Sequence, residues 1–295
     1  MKKTPIFTGS GTAIVTPFRN NEIDYDKMAE LLDQQAAGGT SAVIVCGTTG
    51  ENATQPIPEH EKFVDFCCRQ NNGRMKMIAG IGSNNTQTAL EYGKIAENAE
   101  YDGVLMVTPY YNKTTQSGLI EHFTYVADRI KVPMILYNVP SRTGIGFTAD
   151  TYRILSQHPN INGIKEASSD FSLFSKVRCQ CGDELHVWCG NDDQTVPMMA
   201  LGAKGVISVA SNIIPKAVSE LCQACLKGDF SEAERIHLKY GELFSALFIE
   251  TNPIPVKTAM NLMGMNVGQF RLPLTNMQSK NKEFLAEHLQ ALSLI

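Results

Sequence analysis

Residues 103–137 read GVLMVTPYYNKTTQSGLIEHFTYVADRIKVPMILY. Gly103–Val107 is a short β-rich apolar run, Gly118–Arg129 repeats its apolar residues at helical spacing, and Met134–Tyr137 is apolar again. A strand, a helix and a strand in that order make a parallel pair, because the helix carries the chain back to the edge from which it started. The same rhythm recurs on both sides. It predicts further strands at Gly11–Pro17, Ala42–Cys46, Met77–Ile81, Gly163–Lys165, Val187–Cys189 and Gly205–Val209. Helical patterns such as Tyr25–Ala37, Glu59–Gln70, Thr86–Ala99 and Gln194–Leu201 fill the gaps, and Pro58 suits a helix start. Eight strands is the number that closes a (β/α)8, or TIM, barrel. An open doubly wound sheet is the competitor, but it predicts a dinucleotide fingerprint after the first strand, whereas Gly9-Ser10-Gly11 is read as preceding it. The barrel is the expected fold.

Beyond Ile214 the strand signal stops. Ala217–Leu226, Ser231–Phe248, Val256–Leu262 and Lys280–Leu292 read as helices, with Asn252-Pro253 and Pro255 as breaks. The expected division is a barrel over residues 1–226 and a C-terminal helical extension over 227–295, packed on the barrel because no low-complexity linker separates them.

Composition narrows the function classes. The chain has 295 residues, 43% of them hydrophobic, which is enough for a sizeable core. A net charge of −4 and no basic stripe argue against nucleic acid as partner. No segment is long and apolar enough to span a bilayer, and Met1-Lys2-Lys3-Thr4-Pro5 is followed by no apolar signal region, so cytosol is the expected compartment and no membrane partner is expected. There the eight cysteines are expected as thiols; Cys179-Gln180-Cys181 lacks a matching pair at zinc-site spacing, and Cys67-Cys68 reads as helix packing.

Barrel active sites lie at the C-terminal ends of the strands. The second strand runs into Gly47-Thr48-Thr49-Gly50-Glu51, the fourth into Thr108-Pro109-Tyr110-Tyr111-Asn112, the fifth into Tyr137-Asn138-Val139-Pro140-Ser141-Arg142, and the sixth ends at Lys165-Glu166. These put hydroxyls, phenols, a guanidinium and an amine on one face. A lysine in a barrel wall is rarely placed there unless paired or working, and desolvation favours the neutral amine that attacks a carbonyl. An ion pair with Glu166, or an outward-facing lysine, is the structural alternative. None of the six histidines (60, 122, 158, 186, 237, 288) falls at a strand end, so metal-assisted carbonyl chemistry is disfavoured and no metal is expected. Gly47-Thr48-Thr49-Gly50 lacks the lysine and spacing of a P-loop; it is either a plain turn or a cradle for a carboxylate.

Taken together, Gly47–Glu51, Tyr137–Gly144 and Ile164-Lys165-Glu166-Ala167 resemble the pyruvate-dependent class I aldolases, and most closely their dihydrodipicolinate synthase branch. The resemblance runs from about residue 6 into the C-terminal helices. It implies condensation of pyruvate with L-aspartate 4-semialdehyde, toward diaminopimelate and lysine, with no cofactor beyond a covalent lysine imine. It also implies a homotetramer built from two tight dimers.

By the same resemblance, Lys165 matches the Schiff-base lysine and Tyr137 the proton-shuttling tyrosine. Thr48 matches the threonine that links Tyr137 to a second tyrosine, here Tyr111, contributed by the neighbouring subunit. Thr49 matches the residue holding the pyruvate carboxylate, and Arg142 the arginine that positions the semialdehyde carboxylate. Gly190 and Ile207 match positions whose backbone lines the pocket. In a lysine-inhibition cleft known in some members, Asn52, His60, Asn84 and Tyr110 retain suitable groups. Ile57 and Thr88 replace a histidine and a glutamate there, so weak or absent inhibition is expected. Sister aldolases of N-acetylneuraminate or 2-keto-3-deoxy sugar acids share the lysine and tyrosine, but Thr49 with Ser141-Arg142-Thr143 favours the synthase branch. A catalytically silent keto-acid-binding barrel is the alternative from outside enzymology.

Overall fold

A computed structural model describes residues 2–295. Eight parallel strands close into a barrel: β1 (Gly9–Ala13), β2 (Ala42–Val45), β3 (Lys76–Gly80), β4 (Gly103–Val107), β5 (Met134–Asn138), β6 (Ile161–Glu166), β7 (His186–Cys189) and β8 (Gly205–Ser208). Each strand pairs with its sequence neighbours, and β1 closes the ring on β8 through Gly9 opposite Gly205 and Thr12 opposite Ser208. The fold class read from the sequence therefore stands. The expected start of the first strand does not: Gly9-Ser10-Gly11 lies within β1 rather than before it. Its apolar signal is weak because β1 meets β8 through two glycines that let the backbones approach.

The pleat separates two apolar populations. Residues such as Val43, Met77, Val104 and Ile164 point outward and pack under the helices, while Ile44, Ile78, Leu105, Ile135, Trp188 and Ile207 fill the interior. Phe7 stacks on Trp188 with ring centroids 5.0 Å apart, plugging the barrel. Gly163 makes this possible, since a Cβ there would lie 2.6 Å from the Trp188 ring and 2.4 Å from the His186 carbonyl oxygen. The barrel is thus a packed core, open only above this layer.

Asp24, Asn85, Thr115, Thr148, Asp170 and Asp229 each accept a backbone N–H at a helix N-terminus and so fix where those helices begin. The helices Ala149–Ser156 and Phe171–Cys181 fill two gaps for which the sequence reading named no bounds, and a small hairpin of Phe18–Arg19 and Glu22–Ile23 escapes it. No helix among the described residues is long and apolar enough to cross a membrane.

After the helix Pro215–Lys227, three helices, Phe230–Ala246, Ile254–Leu262 and Ser279–Ala291, complete the chain. They are fastened to the barrel mouth by a buried ion pair. Lys257 Nζ lies 2.7 Å from Glu51 Oε1, with both side chains at 0% exposure, and also donates to the Gln269 carbonyl. The second Glu51 oxygen accepts the Arg271 N–H, while the Arg271 guanidinium pairs with Glu59. Phe18 lies against both cations. Burial lowers the Lys257 pKa, opposed by the Glu51 charge.

Candidate active site

Register decides where Lys165 points. Tyr137, Lys165 and Trp188 sit opposite one another on β5, β6 and β7. Tyr137 and Trp188 belong to the barrel interior, so Lys165 does too, standing above the Trp188 plug. It is 5% exposed, and Nζ lies 4.6 Å from the Tyr137 ring centroid. Glu166, one residue on, faces the other way. It accepts hydrogen bonds from Asn138 Nδ2 at 3.0 and 3.1 Å, Tyr152 OH at 3.0 Å and Ser168 N–H at 2.8 Å. Burial raises the Glu166 pKa against the pull of those donors. The Lys165–Glu166 ion pair left open by the sequence is therefore not formed, and among the described residues no salt bridge holds the amine.

A cavity of about 230 Å³ opens above Lys165, lined also by Thr48, Thr49, Tyr137, Arg142 and Gly190. The threonines come from the loop after β2, which Gly50 and Gln55 pin to Thr16. Arg142 lies on a one-turn helix, Pro140–Thr143, ended by Gly144 in the left-handed conformation. Thr108 Oγ1 donates to Thr143 Oγ1 at 3.0 Å and sets that turn against β4. Gly190 must be glycine because a Cβ would meet that of Ala167 at 2.6 Å. Beneath the rim, buried Asp192 accepts the backbone N–H groups of Val209 and Ala210 at 3.0 and 2.9 Å. Burial raises its pKa, opposed by these donors and by the charge of Lys165.

Two named positions lie elsewhere. Ile207 is buried in the interior cluster with Ala13 and Trp188, and its side chain lines neither cavity at the mouth. Tyr111 has φ +68° and is 90% exposed, so within one chain it is not brought to Lys165. Among the described residues, no hydrogen bond joins Tyr137 to Thr48.

A second cavity of about 290 Å³ shares Thr48, Tyr137 and Arg142 with the first and extends towards Glu51, Asn52 and Tyr110. His60 sits behind it with Nδ1 2.7 Å from Asn52 Oδ1, its ring against Tyr92, and burial lowers its pKa to about 4. His186 Nε2 meets the Lys3 carbonyl at 2.8 Å. Both rings are held by contacts within the fold, consistent with the structural roles that the sequence reading favours.

Asn252 was missed by that reading. It appears in the sequence only as the residue before a proline, yet it lines both cavities. Its Nδ2 donates to Thr49 Oγ1 at 3.0 Å, and its carbonyl accepts from Arg142 Nη2 at 3.1 Å. No periodicity or local motif could show that a residue 203 positions downstream touches Thr49.

A (β/α)8 barrel whose sixth strand carries a buried lysine into the cavity at its C-terminal mouth, flanked by a phenol, two hydroxyls and a guanidinium, is the architecture of a class I, imine-forming aldolase. The chain belongs to the dihydrodipicolinate synthetase family, whose model matches residues 6–292. A curated relative from Thermoanaerobacter pseudethanolicus, named 4-hydroxy-tetrahydrodipicolinate synthase, is 48% identical over 292 residues, 99% of this chain and 98% of its own. The crystal structure of dihydrodipicolinate synthase from Aquifex aeolicus superposes with a TM-score of 0.95 at 46% identity, covering 98% of this chain and 99% of that one. A monomeric dihydrodipicolinate synthase variant gives 0.96 at 41% identity, with 98% of each chain covered.

Proposed function

We propose that the cavity above Lys165 condenses pyruvate with L-aspartate 4-semialdehyde to give 4-hydroxy-tetrahydrodipicolinate, in the route to diaminopimelate and lysine. The enzyme is a lyase of the class I aldolase type. The observation that carries the reading is the inward Lys165, its amine over the Tyr137 ring and in no salt bridge among the described residues. The amine adds to the pyruvate ketone, and loss of water gives an imine. The imine draws electrons from the methyl group, a proton leaves, and the resulting enamine attacks the aldehyde carbon. The amino group of the second substrate then closes onto the imine carbon and expels Lys165. Protons move at several of these steps, and Tyr137 is placed to carry them. Thr49 offers a hydroxyl to the pyruvate carboxylate, and Arg142, on the rim, offers a forked donor set to the semialdehyde carboxylate. Gly190 and Ile207 act through their backbone, Gly190 beside the cavity. No cofactor enters this chemistry.

The exposure of Tyr111 supports a role in trans: a partner subunit's copy would reach Thr48 and close a phenol–hydroxyl–phenol relay, in a homotetramer of two tight dimers. Chemistry on two small central metabolites, together with eight free cysteines, supports a cytoplasmic setting. For a division of the chain we take residues 1–226 as the barrel and 227–295 as the helical region that carries Asn252 and Lys257 to its mouth. With Ile57 and Thr88 in place of a histidine and a glutamate, L-lysine should inhibit weakly or not at all; a micromolar inhibition constant would contradict this.

The test is a substrate panel. With pyruvate present, turnover is expected with aspartate semialdehyde and not in the cleavage of N-acetylneuraminate or keto-deoxy sugar acids. Preference for a sugar acid would move the chain to a sister activity.

A further inference from the structure

We propose that Asn252 is a positioning residue that sets the Thr49 hydroxyl as a hydrogen-bond donor to the pyruvate carboxylate. The inference rests on the pyruvate reading above. Thr49 is 3% exposed, and among the described residues its only hydrogen bond is the one it accepts from Asn252 Nδ2 at 3.0 Å. A hydroxyl has one proton to give, and its direction follows from what occupies its lone pairs. With one lone pair turned to the Asn252 amide, the Thr49 proton is released towards the cavity that both side chains line. A carboxylate is the ligand such an outward proton suits, since it only accepts.

Asn252 is itself held. It is 5% exposed, and its carbonyl receives the Arg142 guanidinium at 3.1 Å, so one residue touches both groups assigned to the two substrate carboxylates. Its Oδ1 is buried with no partner among the described residues. Arg142 is bound through main chain and Thr49 through side chain. Substitution of the Asn252 side chain therefore acts first on the Thr49 end.

The orientation of the amide makes the idea testable by sign. Asn252→Asp is close in shape but cannot donate; it takes the Thr49 proton and places a negative charge near that of pyruvate. The half-saturating pyruvate concentration for borohydride trapping should rise about 10- to 100-fold. The KM for aspartate semialdehyde should change by less than about threefold by the same argument from contacts. Asn252→Ala frees the hydroxyl without capturing its proton and should raise the pyruvate requirement less than Asn252→Asp. In a Thr49→Val background, Asn252→Ala should have almost no further effect on pyruvate, because the two changes remove one contact. Circular dichroism and a melting curve verify folding of each variant, and the Ala and Val pair carries the test if the Asp variant unfolds.

Unchanged pyruvate half-saturation in Asn252→Asp, or additive losses in the cycle, would overturn the proposal while leaving the imine reading intact. Failure of the unsubstituted enzyme to be trapped at all would instead bring down the pyruvate reading, and this inference with it.

Discussion

Lys165 and Glu166 are adjacent in sequence and are sent to opposite sides of the barrel wall by the pleat. The amine enters a cavity with a phenol ring 4.6 Å away, and the carboxylate enters a cage of three donor groups outside. The sequence exposes the residue types and the strand, but a three-residue apolar signal, Gly163–Lys165, leaves the register open by one. The side-chain partners of Glu166, Tyr152 and Asn138, decide it, and they come from 14 and 28 positions away. Tyr137 was legible for the same reason as Lys165, since both end apolar runs. Asn252 was illegible because its contacts are all distant. At this scale the account predicts that Tyr137→Phe retains fold and pyruvate binding but lowers kcat by about 10²–10⁴, the range for a positioned proton-transfer group. Steady-state kinetics checks it, and a loss of less than about threefold would remove Tyr137 from the proton path.

Among the elements, the strands announce themselves as apolar runs, and all eight begin within two residues of their expected positions. The largest offsets are at β1 and β6, each starting two residues early; in β6 Asn162 interrupts the apolar run, and its amide donates to the Thr4 carbonyl at the barrel's other end. The short helices Ala149–Ser156 and Phe171–Cys181 are fixed by Thr148 and Asp170 caps more than by long periodic stretches. The bond between the C-terminal helices and the threonine loop was hidden too, since a Lys257–Glu51 pair spans 206 positions. Replacing Lys257 by Met strands a buried carboxylate next to Thr48 and Thr49. The loss of unfolding free energy should be about 3–5 kcal/mol, and the Lys257→Met, Glu51→Gln double variant should recover part of it. Urea unfolding measures both. A single-variant loss below about 1 kcal/mol would show that the pair does not fasten the region.

For the whole molecule, closure of the barrel was legible from the count of strands, while assembly rests on one exposed tyrosine. If Tyr111 works across subunits, Tyr111→Phe and Lys165→Ala enzymes should each be nearly inactive, and mixing them under conditions of subunit exchange should restore part of the activity. Confirmed exchange without recovery would place Tyr111 outside the relay. Stability should also depend on acidity through His60 and His122, both buried and both lowered to about 4 by that burial. A depressed folded-state pKa means the unfolded chain binds more protons between pH 6.5 and 4, so stability present above about 6.5 is lost as pH falls through that window. The loss should be about 3 kcal/mol for each histidine, and smaller by one such step in His122→Asn. Urea midpoints that do not move between pH 7 and pH 4.5 would contradict it, those two pH values being chosen to lie roughly at the edges of the window.

The central claim is that the Lys165 amine forms the imine. Incubation with pyruvate, reduction with borohydride and mass mapping of the peptides tests it directly. The account predicts one carboxyethyl adduct, on Lys165, lost in Lys165→Ala. An adduct on another lysine, or none on the folded enzyme, would contradict it.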